Sequence, residues 1–213
     1  SWTGTGGFIT TATVTRTYTV GNTAGGTSTN APNLTISGSG TAIQTFSSGC
    51  WFGKLDFDAT AFTVAVTTIN VNSLTLSSAA AAVYTNLTVS SVGTGTITTN
   101  GKGVFSLIVQ SVAGTTTLVG NTIVSGASGP LILSTGTLNN PGTINCGNVQ
   151  IASGVSGTFT LGSTAGIITA SNYIEIQSGT LNYNGGTLTA QSFIHTAGTL
   201  SLGKNLTASD TLG

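Results

Sequence analysis

Few residues in this chain have the type and spacing to do chemistry, and the first pair is Asp56 and Asp58 on either side of Phe57. Alternate residues of a β-strand share a face, so both carboxylates point the same way, about 6.5–7 Å apart. Acids at such a gap could serve a glycosidase or hold Ca²⁺. Lys54 stands beside them on a strand whose apolar residues, Leu55 and Phe57, face inward. That arrangement favours a solvated acidic pair on the outer face. His195 is the single histidine, and Asp210 is the nearby acid in sequence. No Ser-His-Asp set can be assembled from these. Counting back three residues from coil-closing glycines equates His195 with Leu133 and Ile176, which places it in a core column.

Threonine supplies the other pattern. Thr96, Thr117, Thr137, Thr158, Thr180 and Thr199 each precede an apolar anchor and form an expected outer-face ladder. Regular threonine ladders suit ice binding, but the column after the anchors reads Thr98, Val119, Asn139, Thr160, Asn182 and Ser201 and breaks the two-column order such a face needs. Cross-strand threonine pairs on a solvated strand account for the ladder without a ligand. Asn33, Asn86 and Asn205 each begin Asn-Leu-Thr, a match expected by chance in a chain so rich in Asn and Thr, and no function is assigned to them. No residue is assigned a catalytic, cofactor-binding or metal-binding role.

Composition sets limits on the partners. Four basic and four acidic residues in 213 give a formal net charge of zero. Neither a phosphate backbone nor an anionic membrane surface has an electrostatic reason to bind, so nucleic acid and membrane insertion are not expected. No apolar run approaches the roughly 18 residues of a transmembrane helix. The start, Ser1-Trp2-Thr3-Gly4, has neither a basic nor an apolar leader, which implies a removed signal or a segment of a longer chain. Cys50 and Cys146 fall on different sides of coils five repeats apart. At about 4.8 Å per coil that gap exceeds the reach of a disulfide, so both are expected to be free.

The elements that must position these residues follow from a repeat. Leu34, Leu55, Leu74, Ile97, Leu118, Leu138, Phe159, Leu181 and Leu200 recur every 19 to 23 residues with no helical pattern between them. Between anchors lie short alternating stretches such as Leu55/Phe57, Phe62/Val64/Val66 and Ile69/Val71, separated by Gly, Ser, Asn or Pro. Period-two alternation rich in β-branched residues predicts strands. A period near twenty predicts one turn of a solenoid. The expected fold is all-β: a single-stranded, right-handed parallel β-helix of about nine coils, each of roughly 21 residues, spanning 34–213. Residues 1–33, with alternation from Thr11 to Val20, read as a cap or lead-in that covers one edge. Ser77–Val83 is too short for a helix and reads as a corner or small-residue strand. The sequence stops part-way through a coil at Gly213, so further chain or another subunit is expected at that end.

The passage Asn33-Leu34-Thr35-Ile36-Ser37-Gly38-Ser39-Gly40, then Cys50-Trp51-Phe52-Gly53-Lys54-Leu55-Asp56-Phe57, and phrases such as Gly198-Thr199-Leu200-Ser201-Leu202-Gly203 resemble structural fibre and spike proteins of tailed bacteriophages. The same texture is similar to β-helical passenger regions of bacterial haemagglutinin and autotransporter adhesins. The resemblance implies a non-enzymatic structural protein of a virion surface, a fibre or decoration that contacts host glycans. A bacterial adhesin or extracellular filament subunit is the alternative, and an ice-binding solenoid a further one. Its partners would be other virion or surface proteins and copies of itself, and no cofactor is implied.

Overall fold

The computed structural model describes residues 7–11, 15–18, 31–38, 43–47, 49–59, 61–65, 67–124, 130–139, 142–151, 158–161, 166–183 and 187–202. These form strands and turns, all strand pairings are parallel, and successive strands stack into a β-solenoid of three sides. The stack makes about seven turns rather than nine. One side is interrupted: Arg16–Tyr18, Ile43–Phe46, Ala61–Val64 and Ala81–Val83 form a separate four-stranded sheet, and Gly103–Val104 then pairs onward with Thr122–Val124 in the larger one. Within Ser77–Val83, only Ala81–Val83 is strand.

Of the expected alternation from Thr11 to Val20, Thr11 and Arg16–Tyr18 fall in strands on different sides, while residues 12–14, 19 and 20 lie outside the described residues. Gly7–Thr11 pairs with Asn33–Gly38, and Arg16–Tyr18 pairs with Ile43–Phe46. Parallel stacking therefore reaches back to Gly7 among the described residues.

Alternation explains why these stretches are strands and where the core lies. Leu55 and Phe57 are buried while Asp58 is exposed, and the same rhythm buries Ile69, Val71, Val149, Ile151, Ile174 and Ile176. Because strands stack in parallel, each buried residue lies over another from the turn below. Leu34, Leu55, Leu74, Ile97 and Leu118 pair in direct register as one column. At the N-terminal end the interior is aromatic: Tyr18 stacks on Phe46 at 5.0 Å, Phe46 meets Phe52 and Phe57 edge-on, and Phe57 meets Tyr84 at 5.3 Å. Tyr84 is buried yet satisfied, its hydroxyl accepting the Ser77 N–H at 2.9 Å.

Polar side chains inside the coil are paired with one another or with backbone. Ser91 Oγ and Thr116 Oγ1 lie 2.7 Å apart, Thr99 Oγ1 donates to the Asn121 carbonyl, and Ser106 Oγ donates to the Pro130 carbonyl. Each pair joins successive turns, so internal hydrogen bonds reinforce the stacking that the apolar columns produce. At a corner, Gly198 takes φ +91° and donates space: a Cβ there would collide with the Gly179 carbonyl, which accepts the Thr199 N–H at 2.8 Å. Only glycine fits that conformation and that approach.

Leu138 and Ile176 are fully buried between turns. Leu138→Ala is expected to lower unfolding free energy by about 2–5 kcal/mol, and Ile176→Asp by more than about 3 kcal/mol, because it leaves a charge without a partner in the core. Urea titration followed by circular dichroism measures both, and an unchanged midpoint for either would show that the side chain does not face inward.

Candidate functional site

Beside a register step the outer face carries a groove. The strand Ser106–Val119 pairs with Leu131–Asn139 through Val109 opposite Leu133, then Gln110 opposite Thr135, then Thr115 opposite Thr137. Five residues of one strand thus advance while its neighbour advances two, and the ladder is interrupted before pairing resumes. Beyond the bulge Leu138 lies opposite Thr116 rather than Leu118, and on the next turn Leu138 lies opposite Leu161 rather than Phe159. The groove beside this step has a volume of about 410 Å³ and is lined by Gly114, Thr115, Thr135, Gly136, Thr137, Thr158 and Thr160. Its lining holds five hydroxyls, no ionisable group and two glycines. Gly136 adopts φ +96°, a conformation that other residues rarely take. The Thr135 hydroxyl is buried without a hydrogen-bond partner.

The same step corrects the expected threonine ladder. Thr96 does pair with Thr117, and Thr158, Thr180 and Thr199 do form a run. Thr137 belongs to neither piece. It lies between Thr115 and Thr160, and that column continues through Asn182 to Ser201. Val119 pairs with Thr98, and Asn139 pairs with Thr117, so these members of the expected second column fall outside it. The result is a pair of adjacent outer columns: Thr158/Thr160, Thr180/Asn182 and Thr199/Ser201 on successive rungs. A doublet of Thr, one apolar residue and then Thr, Asn or Ser stands on each of these rungs, but it also occurs on another side, at Thr143–Asn145 and Thr187–Thr189.

Asp56 and Asp58 lie on the outer face as expected, with Asp58 exposed. Lys54 Nζ approaches Asp56 Oδ2 at 2.8 Å, while Asp56 Oδ1 is buried without a partner. The ion pair is substantially solvated, and a cation would have to compete with Lys54 for the carboxylate. No three His, Cys, Asp or Glu residues among those described come together as a metal-binding group. His195 is exposed rather than buried, which corrects its assignment to the core. Its column is the expected one, since it pairs with Ile176, but it lies on the last described rung of that side, where no described turn covers it. Its Nε2 lies 3.0 Å from the Gly198 carbonyl. The nearby carboxylate of Glu175 instead accepts from Thr196 and Gln177. Asp210 and Asn205 lie outside the described residues. Asn33 and Asn86 are exposed, at a strand start and in a turn.

Both cysteines are free and buried. Cys146 Sγ donates to the Thr169 carbonyl at 3.6 Å, and burial pushes its thiol up to about 12 from an ordinary 9.0. Burial also pushes the Tyr84 phenol above its ordinary range, opposed in part by the Ser77 N–H. Neither group is poised for nucleophilic work, because the thiolate is the reactive form.

Compared with known proteins, the chain matches no family model, no curated protein and no solved structure. The site is therefore read from its own geometry.

Two predictions follow from these side chains. Thr135→Val should leave stability unchanged or raise it by up to about 1 kcal/mol, whereas Thr116→Val, which strands Ser91, should cost about 1–3 kcal/mol in the same urea titration. The second concerns alkali. Unfolded Cys146 loses its proton near 9.0, while in the folded chain it keeps the proton to about 12. The native state therefore binds more protons in that window, and stability should fall as pH rises from about 9. Melting temperatures between pH 8 and 11 check this, and Cys146→Ala should flatten the decline.

Proposed function

We propose that this chain is a rigid, non-catalytic structural protein of a virion surface, a fibre or decoration whose outer face contacts glycans of the host. The observation that carries the reading is the neutral hydroxyl and amide array on a stack of fully buried apolar columns. Ile36, Leu55, Leu74, Ile97, Leu118 and Leu138 are at most 1% exposed, and paired strands join each turn to the next. Such a body resists bending because each turn is hydrogen-bonded along its length to two others. Its outer columns, Thr115–Thr137–Thr160–Asn182–Ser201 and Thr158–Thr180–Thr199, present donors and acceptors without charge. Those groups suit hydrogen bonding to sugars. They offer no general acid or base near neutral pH, and two of the four acids are engaged elsewhere: Asp56 with Lys54, Glu175 with Thr196 and Gln177. The resemblance of Asn33–Phe57 to tailed-phage fibre proteins supports the virion over the cell surface. The partners of such an element would be other proteins of the particle and further copies of the chain.

An antiserum raised against the purified chain, applied to density-gradient fractions of its source, should label intact virions. Label confined to cell envelopes would replace this reading with a bacterial adhesin. Incubation with host-type polysaccharides should release no new reducing ends. Release that disappears in Asp56→Asn and Asp58→Asn would replace it with a glycan hydrolase.

A further inference from the structure

We propose that the groove at the register step is a binding site for a neutral, hydroxyl-rich sugar unit of a glycan, which rests on the glycan-contacting reading above and gives it a place and a chemistry. Its concave shape is the first support. Beside the register step of Ser106–Val119 the outer face holds a recess of about 410 Å³. That volume lies in the range of small-molecule sites, roughly 300–1,000 Å³. Gly114 and Gly136 contribute backbone alone to its lining.

The lining chooses the ligand. Thr115, Thr135, Thr137, Thr158 and Thr160 supply hydroxyls that both donate and accept, alongside methyl groups that can lie against the C–H face of a pyranose ring. None of the lining side chains carries charge, so a sialylated, sulfated or phosphorylated group would lose its water without gaining a counter-charge. A neutral polyol loses little and finds matched hydroxyls.

The unpartnered Thr135 hydroxyl is the second, independent support. A buried hydroxyl without a partner disfavours the free protein, and Val would fit the same shape without that penalty. A ligand hydroxyl reaching Thr135 as it turns about χ1 would supply the missing hydrogen bond. Stability and binding then oppose one another at this residue, which a purely structural threonine would not show.

The test uses the full chain against a printed panel of neutral hexose and N-acetylhexosamine oligosaccharides together with sialylated and sulfated counterparts, with hits titrated by calorimetry. Neutral members should bind. Thr135→Val and Thr137→Val should each weaken binding by about ten-fold or more, since each removes a hydrogen-bonding hydroxyl that the ligand has replaced water to reach. Thr75→Val, on the same outer face but away from the groove, should change it by less than about two-fold. Thr135→Val should melt no lower than the wild type. Neutral glycans bound equally by all variants would overturn the groove while leaving the surface reading intact, because contact would then lie elsewhere. Binding to no panel member would remove both. Preference for the charged glycans overturns the chemistry argued here. Adsorption of the wild type to ice, lost in Thr137→Val and without glycan binding, would overturn it in favour of an ice-facing array.

Discussion

The structure depends on parity. In a stack of parallel strands, side chains alternate between core and solvent, and a rung that slipped by one residue would turn its apolar set outward. On the anchor side the rungs obey this constraint in two ways. Leu34, Leu55, Leu74, Ile97 and Leu118 pair directly, whereas Leu138 is displaced by two residues from Leu118, and Phe159 by two from Leu138. Direct register then resumes from Phe159 through Leu181 to Leu200. A slip of two keeps Leu138 buried and Thr137 outside. The solenoid can absorb insertions of unequal length between turns so long as the ladder is interrupted to take up the surplus. The interruption before Thr115 is such a case, and the groove lies beside it.

Parity also explains what could be read from the sequence. The strands, the parallel solenoid, the inward set of Leu, Ile and Val, and the outward placement of Asp56 and Asp58 all follow from local alternation, which is printed in the chain. Register is not. A displacement of two residues leaves the alternation untouched, so aligning Leu118 with Leu138 and Phe159 is as consistent with the pattern as the pairing that occurs. The ladder Thr96 to Thr199 was assembled on that alignment and falls into pieces for the same reason. His195 shows a different limit. Its column was legible, because three residues separate it from Gly198 just as three separate Ile176 from Gly179. Its exposure was not, because burial depends on a covering turn and not on the residue's own spacing.

The interior has its own division of labour. Phe46, Phe52, Phe57 and Tyr84 fill the N-terminal turns with rings in edge and stacked contact, while later turns use Leu, Ile and Val with Ser and Thr among them. Where small hydroxyl residues replace large apolar ones, as at Ser91 and Thr116, a hydrogen bond between turns takes over part of the cohesion. These pairs are directional, unlike apolar contacts, and they hold one register against alternatives two residues away. Ser91 meets Thr116 only if Ser106–Val119 keeps its observed pairings with both Leu87–Ser91 and Gly95–Thr98. The polar core residues thus specify what parity alone leaves open.

That specification is what makes a neutral surface useful. A lone threonine hydroxyl exchanges hydrogen bonds with water and gains little by exchanging them with a sugar. Affinity from such groups requires that they be held in place beforehand, so that little freedom is lost on binding. Here each outer hydroxyl belongs to a strand whose inner neighbours are locked: Thr137 adjoins Leu138, Thr180 adjoins Leu181, and both leucines are at most 1% exposed. Rungs about 4.8 Å apart then repeat the same groups at fixed intervals. A flexible loop carrying the same threonines would present the same chemistry without the spacing. The rigidity of the core therefore fixes the spacing of the neutral groups outside it, and an array of such groups acts by where they stand.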